Sequence, residues 1–139
     1  MVTNMKSRLV RAAIGIAAVG TALFTAALPA QAQTTWTGIT GQTNTGGSVV
    51  YYGIYRAHTV SGPVTLYMNK GVTNGAQYAM YTYTGNSLPW SGTLNAGGQK
   101  GWTGVLAGNY AIKAQQNSCS FTQKLFLSCG NSWTGTLTM

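Results

Sequence analysis

Trp102-Thr103-Gly104-Val105-Leu106-Ala107-Gly108-Asn109-Tyr110-Ala111-Ile112-Lys113-Ala114-Gln115 reads as two short β-type runs about a corner. Residues 101–106 and 109–115 each mix β-branched, aromatic and small side chains with polar ones, and Ala107-Gly108-Asn109 supplies the turn chemistry. Alternation over a few residues, bounded by Gly and Asn, is the pattern of strands rather than helices.

The pattern extends in both directions. Further strands are expected at 35–40, 48–60, 64–68, 77–84, 88–94, 120–127 and 133–139. No long helical period follows residue 32. Eight or nine strands at a spacing of roughly 8–12 residues predict an all-β fold, a small antiparallel β-sandwich with a closed β-barrel as the alternative. Asn74-Gly75 has the composition of a two-residue hairpin turn, whose central positions both want positive φ. Gly97-Gly98 marks another corner, and the polar stretch 41–47 reads as a loop.

All four Trp residues open the same triplet, Trp-Thr-Gly or Trp-Ser-Gly, at Trp36, Trp90, Trp102 and Trp133. Their spacings are unequal, so they are not the period of a propeller or solenoid. On a regular strand the Trp, the Gly and the fifth residue share one face. A Gly at that place is expected to leave room for a ring from the next strand.

Upstream lies a different kind of segment. Lys6, Arg8 and Arg11 precede an apolar, Ala-rich run that ends at Pro29, and Ala30-Gln31-Ala32 offers small residues where a signal peptidase reads. That order predicts a secretory signal peptide over residues 1–32 and one mature domain over 33–139. The expected location is extracellular. In that compartment Cys119 and Cys129 read as a disulfide. Its short loop corresponds to about 2–3 kcal/mol on the chain-entropy account.

The chain contains no Asp and no Glu. Glycosidases need two carboxylates, aspartic proteases need a pair, and the usual serine triad needs an acid to hold its His. Tight Ca²⁺ and Mg²⁺ sites favour carboxylate oxygens. One His and two paired Cys are too few for a structural zinc. The expectation is therefore no enzyme, no metal and no cofactor. After residue 32 the basic residues Arg56, Lys70, Lys100, Lys113 and Lys124 are scattered, so no basic run points to nucleic acid. A balance with no acid still favours anionic wall polymers or lipid headgroups.

Aromatic residues are the stronger lead. Val49-Val50-Tyr51-Tyr52-Gly53-Ile54-Tyr55 and Tyr78-Ala79-Met80-Tyr81-Thr82-Tyr83 are apolar on both faces. Such a strand is either central or offers an aromatic face to a partner. Tyr51, Tyr52, Tyr55, Tyr78, Tyr81 and Tyr83 are thus candidate contact residues. Arg56 and His58 would share one face of the longest strand, either as a solvated strand end or as a contact pair for an anion. The expected function is a non-catalytic binding module for a glycan or anionic cell-envelope polymer. The alternative is a protein-binding factor, such as an enzyme inhibitor, or an adaptor or toxin component acting on competing cells.

Residues 102–115 are also similar to the Leu-x-x-Gly-x-Tyr-x-Ile hairpin of bacterial extracellular β-sandwich modules such as pre-peptidase C-terminal domains. That resemblance implies a sandwich. Those modules often bind calcium through acidic residues, so no ligand site carries over to a chain without them.

Overall fold

The computed structural model describes residues 33–126 and 129–139. The expected signal peptide lies outside the described residues. The fold is a β-sandwich of two antiparallel sheets, and neither closes into a barrel.

The strands are β1 (Thr35–Gln42), β2 (Val49–Tyr51), β3 (Arg56–His58), β4 (Gly62–Lys70), β5 (Ala76–Thr82), β6 (Thr93–Leu94), β7 (Gln99–Val105), β8 (Gly108–Gln116) and β9 (Ser132–Thr138), with one short helix, α1 (Phe121–Leu125). One sheet runs β1-β9-β4-β7. The other runs β2-β8-β5-β6, with β3 also paired to β8. Between β5 and β6 the chain stays within one sheet as neighbouring strands; at most other connections it crosses to the opposite sheet.

This crossing corrects two expectations. Asn74 and Gly75 do take positive φ, 64° and 72°. They carry the chain from β4 to β5, however, which lie in different sheets, so they form a corner and not a hairpin. Leu106 and Ala107 likewise pass from β7 to β8 across the sandwich, so the stretch resembling a hairpin is a sheet-to-sheet crossover. Turn chemistry fixes a local reversal of direction. It does not say which sheet receives the next strand.

Three expected strands also change. The run 48–60 divides into β2 and β3, which pair with different parts of β8; Tyr52 N–H still donates to the Ile112 carbonyl at 2.9 Å, and exposed residues 53–55 lie between the two pairings. Within 88–94 only Thr93–Leu94 is regular strand; Tyr81 bridges Ser87, and Ser91 N–H donates to the Tyr78 carbonyl at 2.8 Å. The expected strand 120–127 contains α1 instead. Ser120 caps it, with its hydroxyl accepting from Gln123 N–H at 3.2 Å and Gln123 Oε1 accepting from Ser120 N–H at 2.9 Å. That reciprocal capping box stabilises helix at the cost of strand.

The core sits between the sheets. Val64, Leu66 and Met68 of β4, Tyr78 and Met80 of β5, Ile112 of β8 and Leu137 of β9 point inward and are buried. Each large apolar side chain so buried is worth about 1.5–3 kcal/mol before chain entropy is counted. Trp133 is the centre. Tyr52 and Tyr78 meet its ring edge-on, at centroid distances of 5.5 and 5.2 Å. Gly41, opposite Trp133 in the register, makes this possible, because a Cβ there would lie 2.7 Å from Trp133 Nε1 and from Tyr52 Cε1.

The Trp-x-Gly triplets prove to be a different device from the one expected. In β1 and β7 the residues after Trp36 and Trp102 sit at β-bulges, where two residues oppose one on the partner strand. Gly38 and Gly104 take φ of 65° and 64°, and a Cβ on either would meet nothing within 4 Å. Glycine is needed there for its left-handed backbone, not to admit a ring. The bulge also changes the facing: Trp102 and Val105, three apart, are both buried. Regular β9 instead buries Trp133 and Leu137, four apart.

One end of the sandwich is closed by the disulfide Cys119–Cys129, as expected from the paired cysteines. Buried Gln116 organises that end. Its amide donates to the Thr73 carbonyl at 2.9 Å and the Gly130 carbonyl at 3.2 Å, and its carbonyl accepts from the Thr43 hydroxyl. A buried amide with its groups satisfied ties three loops together without an unpaired polar atom.

Candidate functional site: a tyrosine face on the outer side of one sheet

The six candidate tyrosines are sorted by strand parity. Tyr52 and Tyr78 point inward and belong to the core. The Tyr52 hydroxyl donates to the Gln42 carbonyl at 2.8 Å and accepts from Trp133 Nε1 at 3.0 Å. Burial pushes the Tyr52 phenol up, only partly offset by the Trp133 hydrogen bond, and pushes Tyr78 up far more strongly. Tyr78 is fully buried and cannot meet a ligand on the surface; Tyr52 is half-buried with its ring turned inward against Trp133, so neither belongs to the outer face.

Tyr51, Tyr55, Tyr81 and Tyr83 gather on the outer face of the five-stranded sheet. Tyr81 is the middle ring. Tyr51 meets it edge-on at 5.2 Å and Tyr55 at 5.7 Å, and Tyr83 meets Tyr55 at 6.1 Å. The angles between these rings are 89°, 68° and 65°, so the surface is corrugated. Residues 53–55, between the two pairings, place Tyr55 here, and the Tyr81 hydroxyl secures this stretch by donating to the Tyr52 carbonyl at 3.2 Å. Desolvation, with the neighbouring Tyr55 and Tyr51 phenols adding to it, raises the Tyr81 phenol. The cluster nonetheless stays open to solvent: Tyr83 is 87% exposed and Tyr51 61%.

Two residues of this face, Lys113 and Trp90, were not among the contact candidates read from the sequence. Lys113 Nζ lies 4.9 Å from the Trp90 ring centroid and 5.8 Å from that of Tyr51, and donates to the Ser87 hydroxyl at 2.9 Å. An ammonium over aromatic faces is attracted by their quadrupoles. It also holds a fixed positive charge beside the tyrosines. Alternation within β8 was the available signal, since Ala111, Lys113 and Gln115 face opposite to Tyr110, Ile112 and Ala114.

Arg56 and His58 share a face as expected, but it is the inner one. His58 is 4% exposed, so it is neither a solvated strand end nor a surface contact for an anion. Its ring lies against Tyr110 at 6.3 Å, and Nε2 finds no hydrogen-bond partner among the described residues. Arg56 is half-buried and donates to the Ile54 carbonyl at 3.2 Å, with desolvation lowering its pKa. The short pairing of β3 with the start of β8, Arg56 opposite buried Tyr110, sets this orientation.

No family model matches this sequence, and a search of curated proteins finds no match. Among solved structures the chain is similar to PliG of Aeromonas hydrophila, a periplasmic lysozyme inhibitor of g-type lysozyme. The identity is 18%, over 77% of this chain and 83% of that one, with a TM-score of 0.38. It is also similar to chains of infectious bursal disease virus. The Gx strain shows 13% identity over 76% of this chain and 32% of that chain, at a TM-score of 0.36. The Gt strain shows 11% identity at a TM-score of 0.29. At these identities and scores the likenesses bear on neither partner nor activity.

Proposed function

We propose that the chain is an exported, non-catalytic binding protein whose contact surface is the tyrosine face, and that its partner is a protein. The observation that carries this is the angle between the rings. A glycan platform needs ring faces that lie roughly in one plane along the sugar chain. Tyr81, the middle ring, instead stands at 89° to Tyr51 and 68° to Tyr55. Exposed Tyr beside Trp, with a cation held among them, is the composition of a protein-interface hot spot. The absence of any carboxylate side chain supports a non-catalytic role and favours a partner with an acidic rim.

The test is capture by immobilised protein from secreted and cell-surface fractions. Purified lysozymes, g-type included, serve as one set of baits, because enzyme inhibition is one form this role takes. A bound protein that is lost with Tyr51→Ala or Tyr83→Ala, both exposed positions, supports the reading. Retention on polysaccharide that survives 1 M salt and is lost with the same variants refutes it in favour of a glycan.

A further inference from the structure

At the disulfide end of the sandwich, away from the tyrosine face, Phe121, Leu125 and Phe126 are 80%, 63% and 73% exposed. All three lie in the loop closed by Cys119–Cys129. Phe121 and Leu125 are four apart on α1 and so share a side of it, with Phe126 following at the C-cap.

The described residues of this loop are anchored at both stems and at the start of the helix. The disulfide closes it and the Ser120–Gln123 capping box fixes the helix start. Asn74 and Gln123 exchange amide hydrogen bonds at 3.1 and 3.3 Å. Asn74 also donates to the Ser118 carbonyl at 3.2 Å, and Gln116 holds the Gly130 carbonyl on the returning stem. An anchored loop that holds three large apolar side chains in water presents a preorganised apolar tip.

Charge indicates what the tip meets. Lys124 is the charged residue of α1, and Lys70 bonds Ser132 on the stem that leaves the loop, at 3.2 Å. With no Asp or Glu anywhere, every charged side chain of the protein is positive. A pocket in a partner protein would need only a few cations at its rim. A uniformly cationic molecule is complementary to an extended anionic surface, which attracts it in every orientation. We propose that the disulfide-closed loop docks the protein on a bilayer containing anionic lipids, with Phe121, Leu125 and Phe126 entering the boundary between headgroups and acyl chains and Lys124 at the lipid phosphates.

The experiment is co-sedimentation with vesicles of phosphatidylcholine alone or mixed with phosphatidylglycerol. Each protein is expressed from the full gene and recovered after export, so any contribution of the leader is common to all variants. Wild type should bind the mixed vesicles and not the neutral ones. Phe121→Ser/Phe126→Ser should weaken binding by about tenfold or more. Lys124→Gln should weaken it by about fivefold at low salt. Phe126→Trp should retain it, since Trp favours the membrane interface. Val60→Ser, an exposed apolar position outside the loop, should leave it unchanged. Matched thermal melts show that the variants fold. The proposal is overturned if wild type has no affinity for anionic vesicles, or if the double variant binds as wild type does. An equal loss with Val60→Ser overturns it as well. So does capture of a purified protein through Phe121 and Phe126 without vesicle affinity, which would assign the loop to a protein pocket. Neither Phe121 nor Phe126 belongs to the tyrosine face, so this result and that of the tyrosine variants are read independently.

Discussion

One sequence motif used for two physical reasons can be tested by exchanging the glycines. At Gly104 the backbone is left-handed and the surrounding space is open. Ala there is strained by its own φ, at about 1–2 kcal/mol, while Asn tolerates that region better. Gly135 presents the opposite situation. Its φ is not positive, and an added Cβ would lie 2.8 Å from the Tyr67 carbonyl oxygen and 3.4 Å from Leu66 Cδ1. That oxygen is backbone of β4, held in the ladder between β9 and β7, so it cannot move as a side-chain tip would. Overpacking of this kind costs about 1–3 kcal/mol, and a larger side chain costs more.

The two sites therefore rank the same substitutions in opposite order. At Gly104, Asn should be less damaging than Ala; at Gly135, Ala should be less damaging than Asn. Gly101, with no positive φ and open space, is the control, and Gly101→Ala should be neutral or raise stability by about 0.4–1 kcal/mol. The assay is thermal unfolding of the oxidised protein in one buffer, where about 1 kcal/mol corresponds to a Tm change of about 4–8 °C for a domain of this size. If Gly104→Asn melts no higher than Gly104→Ala, the left-handed bulge does not select the glycine. If Gly135→Ala melts with wild type, the close approach of β4 and β9 is not limiting.

His58→Phe should hold or raise stability, by about 1 kcal/mol, because it keeps a ring beside Tyr110 and removes a buried nitrogen without a partner among the described residues; a clear drop in Tm would mean the imidazole makes a bond that Phe cannot. Alkali should destabilise the protein: burial raises the Tyr78 phenol, so the stability it contributes is fully present below the unfolded tyrosine value near pH ~10 and is lost as pH rises through the folded one, at about 1.4 kcal/mol per pH unit while Tyr78 is held neutral, with Tyr52 acting in the same direction. A Tm that stays level from pH 8 to pH 11.5 would contradict that, and Tyr78→Phe should flatten the decline. Mass spectrometry of the exported chain should find Gln33 as its first residue and a mass two hydrogens short for the disulfide; a free thiol that labels without reductant, or retention of residues 1–32, would refute the respective half.

The features legible in the sequence were those set by neighbours along the chain. Strand alternation exposes the core of β4, where Val64, Leu66 and Met68 face one way, and the Cys pair marks the closed loop. The helix in that loop had a local signal, the capping-box spacing of Ser120 and Gln123, but the β-branched and aromatic content around them pointed to a strand instead. What the sequence concealed depends on contacts across the sandwich. The run from Val49 to Tyr55 is apolar on both faces, so no pattern within it separates core from contact surface. The separation is made by pairing. Tyr51 opposes Lys113 and Val50 opposes Ala114, so parity on β8 decides which ring enters the core and which meets solvent. A single slip in that register would carry Tyr51 to Trp133 and Tyr52 to Lys113, exchanging the two roles. The register is held against that slip by the seat for the Tyr52 ring beside Trp133, which Gly41 leaves open by lacking a Cβ, and by the Tyr52 hydroxyl bonded to both Gln42 and Trp133. The outer tyrosine face is thus specified from inside: the packing that seats Tyr52 in the core is what turns Tyr51 outward.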